Sequence, residues 1–325
     1  MIKTISIRDK NYNGQSIGHV RIANLLSQIN SKHISIVNSD ADGIFALHET
    51  MFELHTHIHS DKKIFLFPTE MYDPTLMKLH LDFSLIAKII VSSEYFQKYL
   101  IKTIGINPNK IKLIPLPSAE IPANNLAATG LVPNSIVRLI TVPILMSAKQ
   151  DITNIIEAFR HLKARYLDLH LDVVIIKDNS EYDRDYINSL GAFIDDSGLK
   201  GTASVRVTQN AFDYPRNFVP ATIVLLPHDE SKQLYSTPLV DAIASHKAIV
   251  ASQQPYAQDL CKKDAGINLY QEEDLQSLID SCSIILDIKS ILEEQNRELS
   301  VNFQPTKVVQ QYLNLFRRYK DNETV

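Results

Sequence analysis

The sequence has little cysteine, no surplus of basic residues and no long apolar run. Cys261 and Cys282 are the only cysteines among 325 residues and follow no metal-binding spacing, which favours a reducing compartment. The net charge of −4 argues against a nucleic-acid-binding protein. No apolar run reaches the ~18 residues of a membrane span, and the N-terminus lacks the apolar core of a signal peptide. These absences predict a cytoplasmic protein, with peripheral attachment to the inner face of a membrane as an alternative.

The length and composition of the chain predict two domains. Of its 325 residues, 45% are hydrophobic and 22% are charged, so the chain can bury a sizeable core. Residues 117–134 are rich in Pro, Ala, Asn and Gly and show no periodicity, as is typical of a linker. We therefore expect an N-terminal domain at 1–120 and a C-terminal domain at 121–325.

Strand and helix patterns alternate in both predicted domains. The predicted strands are 2–8, 33–37, 64–67, 85–91 and an edge strand before Pro115 in the first domain, and 136–142, 170–176, 203–207, 221–226, 247–252 and 265–269 in the second. Amphipathic patterns between them indicate helices. Ser92 or Ser93 is the predicted cap of the helix after 85–91. The predicted apolar face of the helix after 136–142 consists of Ile152, Ile155, Ile156, Phe159 and Leu162. Repeated βα units predict an α/β fold with parallel sheets.

Residues 221–251 show a strand, a loop, a helix and a second strand. Thr237 is a suitable N-cap, and Pro238 then takes the first helical position, where its missing N–H costs nothing. Free amides at such a helix start, with the hydroxyls of Ser236 and Thr237, suit a phosphate. Asp241, one turn further on, suits sugar hydroxyls. A segment of this kind favours a nucleotide sugar, although simple helix capping explains the same residues.

This stretch also resembles a known family. Residues 235–252, YSTPLVDAIASHKAIVAS, are similar to the donor-site signature FGLPLLEAMASGKPVVAS of retaining GT-B glycosyltransferases. Asp241 occupies the position of the second Glu of the family's E-x7-E motif, which binds ribose, and Gln233 occupies that of the first. The signature's glycines correspond to Leu234, Ser236 and His246.

Two further segments carry the resemblance. Residues 89–117 are similar to the end of the first domain of family members, and 147–162 are similar to the segment in which an Arg and a Lys neutralise the donor diphosphate. Lys149 lies within one position of that Lys, whereas the Arg corresponds to Ile144 or Leu145. Lys232 and Arg216 are alternative sources of the missing charge.

The resemblance implies a GT-B fold, with two Rossmann-like domains facing a cleft and a last helix returning to the first domain. It implies a retaining, metal-independent enzyme of polysaccharide biosynthesis, without a cofactor, that moves a sugar from a nucleotide diphosphate sugar to a saccharide or lipid-linked acceptor. Lys149, Ser236 and Thr237 would hold the diphosphate. Asp241 would bind ribose, and Gln233 or Glu230 would bind the donor sugar. Because the signature is incomplete, a catalytically degenerate partner subunit of an active glycosyltransferase is the alternative.

The first domain offers fewer candidates. Gly14 and Ser16 lie in the loop after the first predicted strand, where backbone amides can approach a phosphate or an acceptor, although Ser16 also suits a plain N-cap. The resemblance further implies a histidine near the transferred sugar, for which His48 is the candidate.

Two metal sites are weaker alternatives. Asp40 and Asp42 form a D-x-D motif, the metal and diphosphate signature of the GT-A fold, but only one βα unit precedes them. His55 and His59 share a helical face and could hold zinc with Glu49 or Glu53 as a third ligand, but a solvated helix face explains such a pair better. We therefore expect no metal.

Overall fold

The structure, a computed structural model, describes most of the chain as two compact units. The described residues are 4–8, 17–27, 35–36, 43–47, 63–67, 86–119, 138–145, 152–176, 183–208, 213–227 and 236–318. The first unit contains the described residues up to Pro117 together with 302–318, and the second contains those from Ser118 to Val301. The chain passes from the first unit to the second between Pro117 and Ser118 and returns to the first after Val301.

The first unit contains a parallel sheet of six strands in the order β2-β1-β3-β4-β5-β6. Its strands are β1 (Thr4–Arg8), β2 (Ser35–Ile36), β3 (Gly43–Leu47), β4 (Lys63–Phe67), β5 (Ile86–Val91) and β6 (Ile111–Leu113). Its helices are α1 (Ile17–Ser27), α2 (Glu94–Tyr99) and α8 (Pro305–Arg318), with a π-helix at Leu100–Ile104 and a 3-10 helix at Pro108–Lys110. Ser93, one of the two predicted caps, caps α2 by accepting a hydrogen bond from the Phe96 amide at 3.1 Å.

β3 was not predicted. Its sequence, Gly-Ile-Phe-Ala-Leu, is short and begins with glycine. Polar and apolar residues do not alternate in it, so its pattern does not distinguish a buried strand from a buried helix. It nevertheless pairs with both β1 and β4, so the predicted third strand at 64–67 is the fourth.

The last helix packs within the first unit. Phe316 of α8 contacts Phe65 of β4 edge to face, with ring centroids 4.9 Å apart. Tyr312 and Phe316 are both fully buried, so α8 contributes its apolar face to this core. Among the described helices, none combines the length and apolarity that crossing a bilayer requires.

The second unit contains a parallel sheet of six strands in the order β12-β11-β10-β7-β8-β9. Its strands are β7 (Arg138–Leu145), β8 (Leu169–Ile176), β9 (Ala203–Val207), β10 (Ile223–Leu226), β11 (Ala248–Ser252) and β12 (Ile267–Tyr270). Its helices are α3 (Thr153–Arg165), α4 (Arg184–Asp196), α5 (Thr237–Ala244), α6 (Pro255–Cys261) and α7 (Leu275–Ser300), with a 3-10 helix at Tyr214–Phe218. A further 3-10 helix, Val301–Phe303, lies where the chain passes from the second unit back to the first. The predicted apolar face of α3 is confirmed, because Ile155, Phe159 and Leu162 are buried in this core.

α5 ends in a left-handed turn at His246. The His246 amide donates to the Ile243 carbonyl at 2.9 Å, and the Lys247 amide donates to the Ala242 carbonyl at 3.2 Å, which together form a Schellman motif. His246 has a φ of 55°, a conformation that normally favours glycine. The signature that this segment resembles has a glycine at this position, which is the residue that a left-handed conformation favours.

The second half of α7 approaches the sheet so closely that only glycine fits beneath it. A β-carbon on Gly266 would lie 2.0 Å from the Leu292 carbonyl oxygen. Asn296, fully buried, accepts from the Gly266 amide at 2.9 Å and donates to the carbonyls of Gly266 at 3.0 Å and Lys247 at 2.6 Å. These three hydrogen bonds of Asn296 hold α7 against the residues that directly precede β11 and β12.

We predict that His246→Gly stabilises the protein by about 1 kcal/mol, because glycine adopts the left-handed conformation without a β-carbon clash. The gain is partly offset by loss of the contact between His246 Nε2 and Ser300 Oγ, which are 3.2 Å apart. His246→Ala is the matched control, since it removes the imidazole but retains the clash. Equal stability of the two variants in urea unfolding would contradict the prediction.

The stability gain of His246→Gly should also grow as pH falls. Burial, together with the charges of Arg297 and Lys247, lowers the pKa of His246, while Glu294 opposes the shift. The unfolded chain therefore binds the proton more readily, and the parent loses stability as pH falls through about 6.5, whereas the glycine variant lacks this loss. Unfolding at about pH 8 and about pH 5 measures the difference. His170, whose pKa is also lowered, is present in both proteins and cancels.

Gly266→Ala should destabilise the protein by about 3 kcal/mol, because the new methyl group overlaps the α7 backbone. Gly191→Ala is the matched control. Gly191 lies inside α4, and a β-carbon there meets no atom within 4 Å. That substitution should stabilise the protein by about 0.5–1 kcal/mol. Urea unfolding of both variants measures the two effects, and a Gly266→Ala protein as stable as the parent would show that the close approach is not required.

Candidate functional site

The strand order of the second sheet reverses between β7 and β10. These strands are parallel neighbours, with Ile140 opposite Ile223, yet the chain continues from β7 to β8 on one side and from β10 to β11 on the other. In open parallel sheets, ligands bind outside the carboxyl ends of the strands at such a switch point. Those ends are Leu145 and Leu226.

The predicted donor residues follow these two strand ends in the chain. Lys149 follows β7, and Glu230 and Gln233 follow β10; all three lie outside the described residues. Ser236 and Thr237 begin the helix that follows β10. Chain order thus assigns the diphosphate and sugar candidates to the two segments that leave the switch point.

The first sheet has its own switch point between β1 and β3, because β2 lies on the other side of β1. Gly14 and Ser16 follow β1 in the chain, and His48 directly follows Leu47, the last residue of β3. These three candidates lie outside the described residues, as do Asp40, Asp42, His55 and His59. Within the described ranges, no three His, Cys, Asp or Glu side chains are grouped to hold a metal.

The start of α5 differs from the prediction. Ser236, not Thr237, is the N-cap, and its Oγ accepts from the Leu239 amide at 3.3 Å. Both residues carry a capping hydroxyl, and proline is tolerated throughout the first turn, so the sequence did not distinguish them. Pro238 has no N–H, and the Val240 amide donates to the Ser236 carbonyl at 3.1 Å. The predicted cluster of free amides is therefore wrong, and in the described part of the chain the Thr237 amide is the remaining first-turn donor.

Ser236 and Thr237 retain polar groups that suit a phosphate. Because Ser236 Oγ accepts in the cap, its O–H proton remains available for donation. The side chains are largely buried, with 9% of Ser236 and 6% of Thr237 exposed, so a ligand there would be held in partly desolvated surroundings.

Asp241 is fully buried, and both of its carboxylate oxygens accept hydrogen bonds from the protein. Oδ1 accepts from the Ala119 amide at 2.8 Å, and Oδ2 accepts from the Tyr214 hydroxyl. The ring of Tyr214 packs edge to face on Phe218 at 5.6 Å. Ribose binding by Asp241 stays a prediction, and it would require the carboxylate to exchange these donors. Sequence reasoning missed the partners because they lie 27 and 122 positions away.

Two further polar residues lie where β11 ends. The Gln254 side chain donates to the Pro227 carbonyl at 3.5 Å and so connects the segment after β11 to the segment after β10. The Ser252 hydroxyl is buried and has no hydrogen-bond partner among the described residues. Arg216 and Lys232 are the candidates to replace the missing family Arg. Nη2 of Arg216 lies 3.6 Å from Oδ1 of Asp213, whereas Lys232 lies outside the described residues.

Comparison with known proteins identifies the fold. No protein-family model matches the chain, and a search of curated proteins gives no match. Among solved structures, the chain is similar to Anabaena HepE in complex with UDP-glucose, with 12% identity, a TM-score of 0.75, and 98% of this chain and 100% of that chain covered. It is similar to sucrose-phosphate synthase from Thermosynechococcus elongatus at 12% identity and a TM-score of 0.72, covering 98% and 99%.

A glycosyltransferase from Rickettsia africae matches at 13% identity and a TM-score of 0.70, covering 99% of both chains. At these identities the likeness shows the fold alone. The predicted fold class is confirmed, since the two parallel α/β sheets and the near-complete coverage show that this chain has the GT-B fold.

Proposed function

We propose that this protein is a glycosyltransferase that uses a nucleotide diphosphate sugar as donor. The observation that carries the proposal is the reversal of strand order between β7 and β10, with the donor candidates in the two segments that follow these strands. The solved structures of HepE with UDP and with UDP-glucose support a nucleotide sugar as the ligand of this fold.

In the proposed reaction, the bond between the sugar and the diphosphate breaks, and the sugar carbon forms a bond to an acceptor hydroxyl oxygen. Negative charge develops on the leaving phosphate, which takes up the proton that the acceptor hydroxyl loses. Stabilising that charge is the main task of the site. Lys149 supplies the cation, and the Ser236 hydroxyl and the Thr237 amide and hydroxyl donate hydrogen bonds. Glu230 or Gln233 accepts from the hydroxyls of the donor sugar. The reaction is retaining and needs neither metal nor cofactor.

The acceptor in this proposal is a saccharide or a lipid-linked saccharide. Gly14, Ser16 and His48 follow the strand ends at the switch point of the first sheet, which is the corresponding ligand position in that unit. His48 lies near the transferred sugar in the proposed reaction. A lipid-linked acceptor would bring the protein to the inner face of a membrane.

A second candidate function is that of a catalytically degenerate partner subunit of an active glycosyltransferase. The capped first turn of α5 and the enclosed carboxylate of Asp241 favour it, because both reduce the donors and acceptors left for a nucleotide. Co-purification with a second glycosyltransferase, together with no donor hydrolysis by the isolated chain, would support this function over the enzyme.

Isothermal titration tests the donor assignment. We expect UDP- or GDP-sugars to bind, and Lys149→Ala to weaken binding by about tenfold or more, because a charged hydrogen-bond donor is lost. Thr237→Val removes only the hydroxyl and should weaken binding about fivefold. Lys200→Ala is the matched control, since Lys200 is 84% exposed and lies before β9, at the opposite edge of the sheet. No binding at about 1 mM ligand would refute the assignment.

A further inference from the structure

We infer that Asp241 is an internal anchor and positioning residue of the second unit and that it does not bind the donor ribose. The inference rests on the proposed function for its meaning, because it assigns a role within that donor site. Its structural basis is independent of any ligand.

The Asp241 carboxylate joins three separate segments of the unit. Asp241 itself lies one turn into α5, Tyr214 begins the 3-10 helix before β10, and Ala119 is the second residue after the division between the units. One oxygen accepts from the Ala119 amide at 2.8 Å and the other accepts from the Tyr214 hydroxyl. The side chains of Asp241 and Tyr214 are both fully buried.

A buried carboxylate is stable only when its oxygens accept hydrogen bonds. Here protein donors meet that requirement at both oxygens. A ribose diol that replaced them would break the Tyr214 hydrogen bond at a position without access to water, so the exchange is unfavourable. The anchor therefore competes directly with ribose binding.

The length of the side chain fits the anchor better than the ligand role. Asp is one methylene shorter than the family's Glu, which retracts the carboxylate by about 1.5 Å. That shorter reach keeps it beside Tyr214 and Ala119, and Asp241 itself is 0% exposed, so an added methylene would have to displace the atoms that enclose the side chain.

The anchor also has a consequence for donor binding. Ser236 and Thr237 begin the helix that carries Asp241, one turn earlier. By holding α5 against the 3-10 helix and the start of the linker, Asp241 fixes the direction of the Ser236 hydroxyl and the Thr237 amide. Asp241 thus acts on the phosphates through the helix.

Asp241→Glu separates the two roles because they predict opposite results. If Asp241 is the anchor, the Glu variant has a Tm lower by several degrees, and its Ala119 amide exchanges about tenfold faster. UDP and 2′,3′-dideoxy-UDP then both bind more weakly, and the two lose affinity by an equal factor. If Asp241 binds ribose, Glu restores the family's reach. UDP then binds more tightly, 2′,3′-dideoxy-UDP is unaffected, and Tm does not fall; this result would overturn the inference.

Tyr214→Phe keeps the inference testable if Asp241→Glu does not fold, because it removes one hydroxyl without changing shape. The anchor predicts a lower Tm and weaker UDP binding, whereas a ribose-binding Asp241 would be released and bind UDP at least as tightly. Tyr166→Phe is the matched control, since the buried Tyr166 hydroxyl has no partner among the described residues and its loss should change neither readout.

The two hypotheses fail separately. If neither nucleotide binds, the donor proposal fails, and amide exchange and Tm still decide the anchor. If UDP binds and Ala119 exchanges equally fast in the parent, Asp241→Glu and Tyr214→Phe proteins, the anchor fails and the donor proposal stands.

Discussion

Parallel pairing of the strands is the constraint on which the rest of this structure depends. Because every described strand pair in both sheets is parallel, all strands of a sheet deliver their carboxyl ends to one edge. Between β7 and β10 the crossovers lead away in opposite directions, so neither one covers the crevice at that edge. The position of the candidate site follows from this topology before any side chain is considered.

The two edges of the second sheet have different tasks. At the amino edge, Asn296 satisfies backbone groups of Gly266 and Lys247. The Lys247 ammonium donates a hydrogen bond to the Val219 carbonyl at 2.7 Å, and burial lowers the pKa of this lysine. At this edge, the polar groups of Asn296 and Lys247 thus form hydrogen bonds that hold neighbouring segments of the unit together. At the carboxyl edge, the Ser236 hydroxyl proton, the Thr237 amide and the Ser252 hydroxyl remain as donors, which is what ligand binding requires.

Periodic features of this chain were predictable from sequence, and contacts between distant segments were not. The α3 face and the Ser93 cap follow from local spacing, because the residues that form them lie within a few positions of one another. β3 was missed because five residues starting with glycine carry too little pattern. The partners of Asp241 were missed because their positions relative to it are set by the folded chain.

The incomplete signature separates positions that need a backbone conformation from positions that need a chemical group. His246 has a left-handed φ, which suits the glycine of the signature, so the turn after α5 forms here with histidine in that position. Asp241 keeps a carboxylate, but the unit itself occupies both oxygens. A match at Asp241 is therefore no argument for ribose binding, and a mismatch at His246 is no argument against the fold. Under the proposed function, the donor-binding role therefore passes to the segments after β7 and β10, and the test of that role is Lys149 and the residues near Gln233 rather than the completeness of the motif.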